Sequence, residues 1–348
     1  MKKLKRIPYY TCLFFKSLRQ YGVKATASKV IQKICRTINK KTSSYIMHEK
    51  NITLIRNFEE YDEFVRRVKN EEGFDVQNIA AYLNSFKLDF SSFVEAFGSP
   101  HPDCDPFSQE YIDWEMAFLT FLSGKKYEVE SEGILKAEAE HFNKEPTGFH
   151  WTLQSRTTQM RTYADFLDIC KPKKGMKALE MGCGWGNLLE LLGRCGCHVT
   201  GLDVSEAAVK YLRDSLTSQR IPNEMICGTF SDIEKTDTIF DMVVFEASIH
   251  HSNDPLNVLK ALYNKMHENS KLYFLNECIS ELYDRPWGVV LHYGEALYQI
   301  RYRGWLEFGL RLDFFEELLK KANLTLQDQH VLSNGTVLYV AVKALEEN

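Results

Sequence analysis

Ala178-Leu179-Glu180-Met181-Gly182-Cys183-Gly184-Trp185-Gly186-Asn187 joins a short apolar run to an amphipathic one through three alternate glycines. Glycine has no Cβ, so a turn of this composition takes φ > 0 readily and lets main chain approach a bulky ligand. A helix from about Asn187 would point its free N–H groups and positive dipole end into the same space. The spacing is E-x-G-x-G-x-G. A dinucleotide site has G-x-G-x-x-G, whose third glycine would fall at position 187, where this chain has Asn. A phosphate-binding P-loop needs a Gly-Lys-Ser/Thr ending, and none follows.

Two acids complete a different pattern. Glu180 stands two positions before the first glycine, and Asp203 ends the next apolar run, Val199-Thr200-Gly201-Leu202-Asp203. These residues resemble the class I S-adenosylmethionine (SAM) methyltransferases. The resemblance follows the element order from about Lys171 to the C-terminus, with its motif residues between Leu179 and Asp254. It implies SAM as cofactor, with its aminoacyl part over Gly182, Gly184 and Gly186, its ribose hydroxyls on Asp203, next to Val204, and Glu180 and Glu246 pointing at the same crevice from their strand ends. The family places a Gly-Asp pair at the adenine; Gly228-Thr229 stands there in this chain, so the backbone of Thr229 and Phe230, or Asp232, is expected to replace it.

The surrounding pattern supports an α/β fold. From Lys177, apolar runs alternate with amphipathic ones, as in a parallel sheet with helices on both faces. Ser205 is expected to cap a helix, Met225 to Cys227 forms a short strand, Asp241 to Glu246 a central one, and Lys271 to Asn276 a fifth. Asp313 with Glu316 reads as a capping box. Thr325 to Leu332 and Thr336 to Val342 meet at Asn334-Gly335, a strong hairpin signal. The expected fold is therefore a Rossmann-like seven-stranded methyltransferase sheet, parallel apart from a C-terminal antiparallel hairpin strand, with an N-terminal helical extension.

Three divisions of the chain are expected: a basic amphipathic helical segment over 1–50, a helical subdomain over 51–150, and the methyltransferase domain over 151–348 with an aromatic-rich insertion at about 279–310. The first carries lysines and arginines from Lys2 to Lys50 against the single acid Glu49, although the whole chain has net charge −4. Such a segment, over residues 1–41, suits an anionic membrane surface or packing on the rest of the protein. No basic platform interleaved with aromatics follows, so nucleic acid is not expected as a partner. In the second division Asn57 to Glu60 reads as a capping box, Asp75 starts another helix, the proline-rich stretch Gly98 to Pro106 marks a boundary, and Ser108 begins a helix ending near Gly124. At 348 residues, 44% hydrophobic and 26% charged, the chain can bury a large core. Nine cysteines without a paired framework point to reduced thiols and a cytoplasmic setting, peripheral at the inner membrane face, and no metal site is expected.

SAM is an activated electrophile, so the protein must align an acceptor behind the methyl group and exclude water. A hydroxyl acceptor also needs a general base. Ser248-Ile249-His250-His251 follows the strand ending at Glu246, and a neutral imidazole suits the task, so His250 and His251 are the catalytic candidates. Trp151 and Tyr163 are candidates for a cover over the cofactor. The insertion holds Tyr283, Trp287, His292, Tyr293, Tyr298, Tyr302, Trp305 and Phe308 beside Arg285, Arg301 and Arg303, a set suited to a sugar. Pro286-Trp287-Gly288, Gly304 to Gly309 and Leu18 to Lys24 resemble methyltransferases of bacterial surface-polysaccharide assembly. That resemblance implies O-methylation of a sugar in a cell-surface glycan or its lipid-linked precursor. Gly182 to Gly186 is also similar to the turn of cyclopropane fatty acid synthases, which place a Glu-His pair where this chain has Ala247 to His251. A SAM-binding partner protein without catalysis is the reading from another class. The oligomeric state is open.

Overall fold

The strand Lys177–Met181 lies at the centre of a seven-stranded sheet, and its apolar side chains are sealed on both faces: Ala178, Leu179 and Met181 are fully buried. A strand covered on both sides reads as a continuous apolar run, as this one does. The computed structural model describes residues 53–71, 86–133, 153–291 and 294–344. The basic segment 1–50, the helix expected from Asp75, and Trp151, His292 and Tyr293 lie outside the described residues.

In chain order the elements begin with β1 (Thr53–Ile55), α1 (Phe58–Glu71), β2 (Phe86–Leu88), α2 (Phe90–Phe97) and α3 (Gln109–Ser123), followed by a 3₁₀ turn at Val129–Glu132. Next come α4 (Leu153–Cys170), β3 (Lys177–Met181), α5 (Asn187–Arg194), β4 (His198–Asp203), α6 (Glu206–Ser218), β5 (Asn223–Cys227), β6 (Phe240–Glu246), α7 (Pro255–Tyr263) and β7 (Met266–Leu275). The last part holds β8 (Ile279–Ser280), β9 (Trp287–Val289), α8 (Gly294–Tyr298), a π-helical turn at Gln299–Arg303, β10 (Phe308–Arg311), α9 (Leu312–Lys321), β11 (Leu324–Val331) and β12 (Val337–Lys343).

The sheet order is β11-β12-β7-β6-β3-β4-β5. Strands β4, β3, β6 and β7 run parallel, with β5 parallel at the edge, while β12 pairs antiparallel with β7 and β11 antiparallel with β12. Gly335 takes φ 86° in the turn between the last two strands, where a side chain would be strained. This is the expected Rossmann-like methyltransferase sheet. The chain leaves β3 outward to β4 and β5, then returns to β6 on the other side. That reversal opens a crevice at the carboxyl ends of β3 and β6, where ligands of such sheets bind.

Two helical layers cover the sheet. Phe166 of α4, Leu188, Leu189 and Leu192 of α5, and Val209, Leu212 and Leu216 of α6 pack on one face. Leu259 and Leu262 of α7 and Phe315, Leu318 and Leu319 of α9 pack on the other. Ser205 caps α6, its hydroxyl accepting from the Ala208 N–H at 3.3 Å. The start of α9 differs from expectation: Arg311 occupies the cap position without a side-chain cap, and Asp313 sits inside the first turn, accepting from Arg311 Nε at 2.7 Å. Strand β10 stays paired with its neighbours up to Arg311, so the chain passes straight from strand to helix.

The N-terminal helices and the aromatic insertion build one further body of core on the α7/α9 face. Asn57 caps α1 by accepting from the Glu60 N–H at 2.9 Å, and Glu60 in return accepts from the Arg56 N–H at 2.9 Å. Ser108 caps α3 and Gly124 ends it. The proline-rich loop after Gly98 connects α2 to α3, whose rings interlock: Phe97 lies edge-on to Trp114 at 5.6 Å and to Phe118 at 5.5 Å. Trp287 packs against Tyr111 at 5.3 Å and Phe308 at 5.3 Å, and its indole N–H donates to the Pro106 carbonyl at 2.8 Å. Sequence periodicity showed neither the three-stranded β8-β10-β9 sheet nor the parallel β1–β2 pair, because strands of two to four residues are too short to display alternation.

Candidate functional site

The glycine turn is pinned to its neighbour strand, with the Gly182 and Cys183 N–H groups donating to the Leu202 carbonyl at 2.8 and 3.0 Å. Each glycine serves a different purpose. Gly182 has φ 70°, and an added Cβ would sit 2.7 Å from that of Ser248, so it lets the turn and the loop after β6 close on each other. Gly184 has φ 48°, and a Cβ there would meet nothing within 4 Å, so its open side faces the crevice. Its N–H donates to Asp203 Oδ2 at 2.7 Å. Gly186 has φ 69°, and a Cβ would lie 2.3 Å from Leu212 Cδ2, which makes it a packing position between α5 and α6.

Beside this turn lies a cavity of about 540 Å³, within the range of small-molecule sites. Gly182, Gly184, Asp203 and Val204 line one part of it, and Thr229 and Phe230 another. Ser248, His251 and Asn253 follow on the wall, and Tyr127, Val129, Glu132 and Trp305 close it from the N-terminal body and the insertion. Asp203 is 9% exposed and takes a second N–H, from Ser205, at 2.8 Å on Oδ1. Burial raises its carboxyl above the usual range, and the Ser205 and Gly184 hydrogen bonds oppose that rise.

Five expected site residues stand off the cavity wall. Gly186 is one, for the packing reason above. Glu180 is buried and Glu246 half-buried, neither on the wall, and each is raised above the normal carboxylate range by desolvation first and by a neighbouring carboxylate second or later, Glu246 to about 7. Tyr163, expected over the cofactor, is instead buried and donates its hydroxyl to Glu246 Oε2 at 2.9 Å. His250 is the fifth: its Nδ1 is 2.8 Å from Glu277 Oε2, and Glu277 Oε1 accepts the Ser248 and Ile249 N–H groups at 2.8 and 3.1 Å. That arrangement orders the loop. Asp232 likewise serves its own 3₁₀ turn, accepting from the Thr229 N–H at 2.7 Å and pairing with Lys235.

His251 is the imidazole on the wall. Its ring stands edge-on to Trp305 at 5.6 Å and lies 4.3 Å from the His250 ring. Nδ1 is 3.0 Å from Glu132 Oε2, off the alignment of a hydrogen bond. Among the described residues of the aromatic insertion, Trp305 alone reaches this cavity; Trp287, Tyr298 and Phe308 are buried core. Arg285 pairs with buried Glu115 at 2.5 Å, Arg301 with Asp62 at 2.6 Å, and Arg303 lies over Trp305. The expected sugar platform is thus mostly the packing that joins the insertion to the helices. Glu132, Tyr127 and Glu277 were missed. Glu277 follows a strand end closely enough to have been noticed, whereas nothing local marks Glu132 or Tyr127.

Residues 179–274 match the family model described as a methyltransferase domain. That segment supplies Gly182, Gly184, Asp203, Thr229 and His251. Over 101 residues the chain is 29% identical to a ubiquinone biosynthesis O-methyltransferase of Coxiella burnetii (strain Dugway 5J108-111), covering 29% of this chain and 43% of that protein. Over 112 residues it is 33% identical to the mitochondrial ubiquinone biosynthesis O-methyltransferase of Arabidopsis thaliana, covering 31% of this chain and 34% of that one. The chain therefore spans less than half of either relative's length. Among solved structures it is similar to the Burkholderia thailandensis 1,6-didemethyltoxoflavin-N1-methyltransferase with bound 1,6-didemethyltoxoflavin and S-adenosylhomocysteine, at 16% identity and TM-score 0.41 over 53% of this chain and 77% of that one. It is also similar to the PH0226 protein of Pyrococcus horikoshii OT3, at 19% identity and TM-score 0.42 over 59% of this chain and 98% of that one.

The cavity fits SAM by its own geometry. Gly184 has open space on its Cβ side, Gly182 and Gly184 hold positive φ, and the buried Asp203 carboxylate faces the cavity. Gly182, Gly184 and Asp203 would hold its aminoacyl and ribose parts, with Val204, Thr229 and Phe230 along the adenosine. Among the described residues no group of three or more His, Cys, Asp or Glu could hold a metal ion, and no helix is long and apolar enough to cross a membrane.

Proposed function

We propose that this chain is a SAM-dependent O-methyltransferase acting on a hydroxyl of a small ring-bearing acceptor, with His251 removing the hydroxyl proton. One observation carries the reading: His251 stands on the wall of the same cavity as Gly182, Gly184 and Asp203, whereas His250 is tied to Glu277. SAM supplies the methyl group when bound. The protein's part is to hold the acceptor in line, keep water out and accept a proton at the imidazole. Tyr127 and Trp305 give the cavity aromatic surface, and Asn253 gives it a polar edge.

The matched relatives are named as O-methyltransferases of ubiquinone biosynthesis, which favours a phenolic hydroxyl. A phenol, with a pKa near about 10, gives up its proton to an imidazole far more readily than an alcohol does. Among the described residues, the surface-glycan reading keeps only Trp305 of its aromatic set at the cavity. The test is formation of S-adenosylhomocysteine by the full chain with a panel of catechols, other phenols and sugar glycosides. Turnover is expected with a phenol, and His251→Ala is expected to lower kcat by about 10²-fold with SAM affinity within about twofold. Unchanged kcat in that variant removes His251 as the base. Tight SAM binding without turnover across the panel favours a partner protein over an enzyme.

A further inference from the structure

We infer that Glu132 is a positioning residue for His251, so that a segment preceding the methyltransferase-domain match completes the reaction site. This rests on the reading of His251 as the base. Glu132 ends the 3₁₀ turn Val129–Glu132 and reaches the cavity from outside residues 179–274. Its carboxylate is 10% exposed, and Oε2 lies 3.0 Å from His251 Nδ1.

The carboxylate is itself anchored. Oε1 accepts the Leu306 N–H at 2.7 Å, and the Tyr127 hydroxyl is hydrogen-bonded to the same side chain. One residue earlier, the Ser131 carbonyl accepts the Trp305 indole N–H at 2.7 Å, and the Trp305 ring faces the edge of His251. The imidazole is thus bounded by Trp305 on one side and a fixed carboxylate at Nδ1. A carboxylate there favours a proton on Nδ1, which leaves Nε2 as the basic nitrogen, and it steadies the imidazolium formed when a hydroxyl proton arrives. The 3.0 Å separation is within reach of a hydrogen bond, and contacts of this kind often align only once a site is filled. By the same reasoning Glu277 holds His250, but there the pair is buried and supports the loop.

Glu132→Gln in the full chain is the test, because the amide oxygen can still accept the Leu306 N–H while the negative charge is lost. Three readouts separate positioning from support. First, kcat with the acceptor found above is expected to fall about 10- to 100-fold, with SAM affinity and the melting temperature little changed. Second, the loss is expected to vanish in a His251→Ala background, since residues acting as a unit are non-additive. Third, ¹⁵N spectra of the His251 ring, which need no acceptor, are expected to show the Nδ1–H tautomer in the native protein and a mixture in Glu132→Gln. An unchanged tautomer, or an equal further loss of kcat on the His251→Ala background, overturns the inference. If no acceptor turns over, the O-methyltransferase reading fails, and the ring spectra still decide whether Glu132 sets the state of His251.

Discussion

Gly182 shows how much of the site depends on one missing atom. A Cβ there would meet Ser248 Cβ at 2.7 Å on a backbone already at φ 70°, and the Ser248 hydroxyl is held by the Met181 carbonyl at 2.6 Å. Neither side can yield cheaply. Gly182→Ala should therefore cost about 1–3 kcal/mol of stability from strain and overpacking and weaken SAM binding at least tenfold. Thermal unfolding and a SAM titration by calorimetry measure the two effects, and wild-type affinity in the variant would show that the turn does not carry the ligand. Gly186 looks identical in the sequence. Its constraint comes from Leu212, twenty-six positions on, and so could not be read from the motif.

At the scale of elements, α3 and the insertion are joined by a buried charge cluster. Glu115 on α3 is fully buried and accepts from Arg285 at 2.5 Å, from the Val289 N–H at 3.0 Å and from His101 Nε2 at 3.2 Å. Arg285 also lies over the Phe90 ring at 4.5 Å, and Gly288 leaves the space that the carboxylate occupies. Removing the acid leaves a guanidinium and an N–H without their acceptor in low dielectric. Glu115→Ala is expected to cost about 3–5 kcal/mol, measured by urea unfolding; a cost below about 1 kcal/mol would mean that water replaces the carboxylate readily. The helix ends here were legible because caps are local: Ser108, Gly124 and Ser205 all act as their neighbours foretold. The aromatic residues of the insertion were read as a sugar surface because composition does not tell a ring facing solvent from one buried against α3.

For the molecule as a whole, the desolvation of Glu180, Asp203 and Glu246 near one another links stability to pH. Glu246 is raised from 4.5 to about 7, chiefly by desolvation; the Tyr163 and Asn276 hydrogen bonds work against that rise and Glu277 adds to it. A carboxyl raised on folding binds its proton more tightly in the folded state, so stability falls as pH climbs from about 4.5 to about 7 and the cost is complete above that. Glu180 and Asp203 shift in the same direction. Asp62 and Asp241 are lowered below 3.8 and act only in more acidic solution. The melting temperature should therefore decline between about pH 5 and 7, and Glu246→Gln should flatten that decline and raise the melting temperature at pH 8. Parallel curves for the two proteins would show that Glu246 is ionised at no cost.

The sequence by itself made the elements of the sheet legible: alternating apolar and amphipathic runs, caps, the glycine turn and the Asn334-Gly335 hairpin are local signals that agree with one another. It also placed Asp203 at a strand end, where the crevice had to be. Only the tertiary structure decided which of two adjacent histidines faces the cavity. His250 and His251 share one 3₁₀ turn that sends their rings to different carboxylates, Glu277 and Glu132, one just after β7 and the other far before the glycine turn. A side chain's role there depends on contacts between residues far apart in sequence, and no local pattern encodes such contacts.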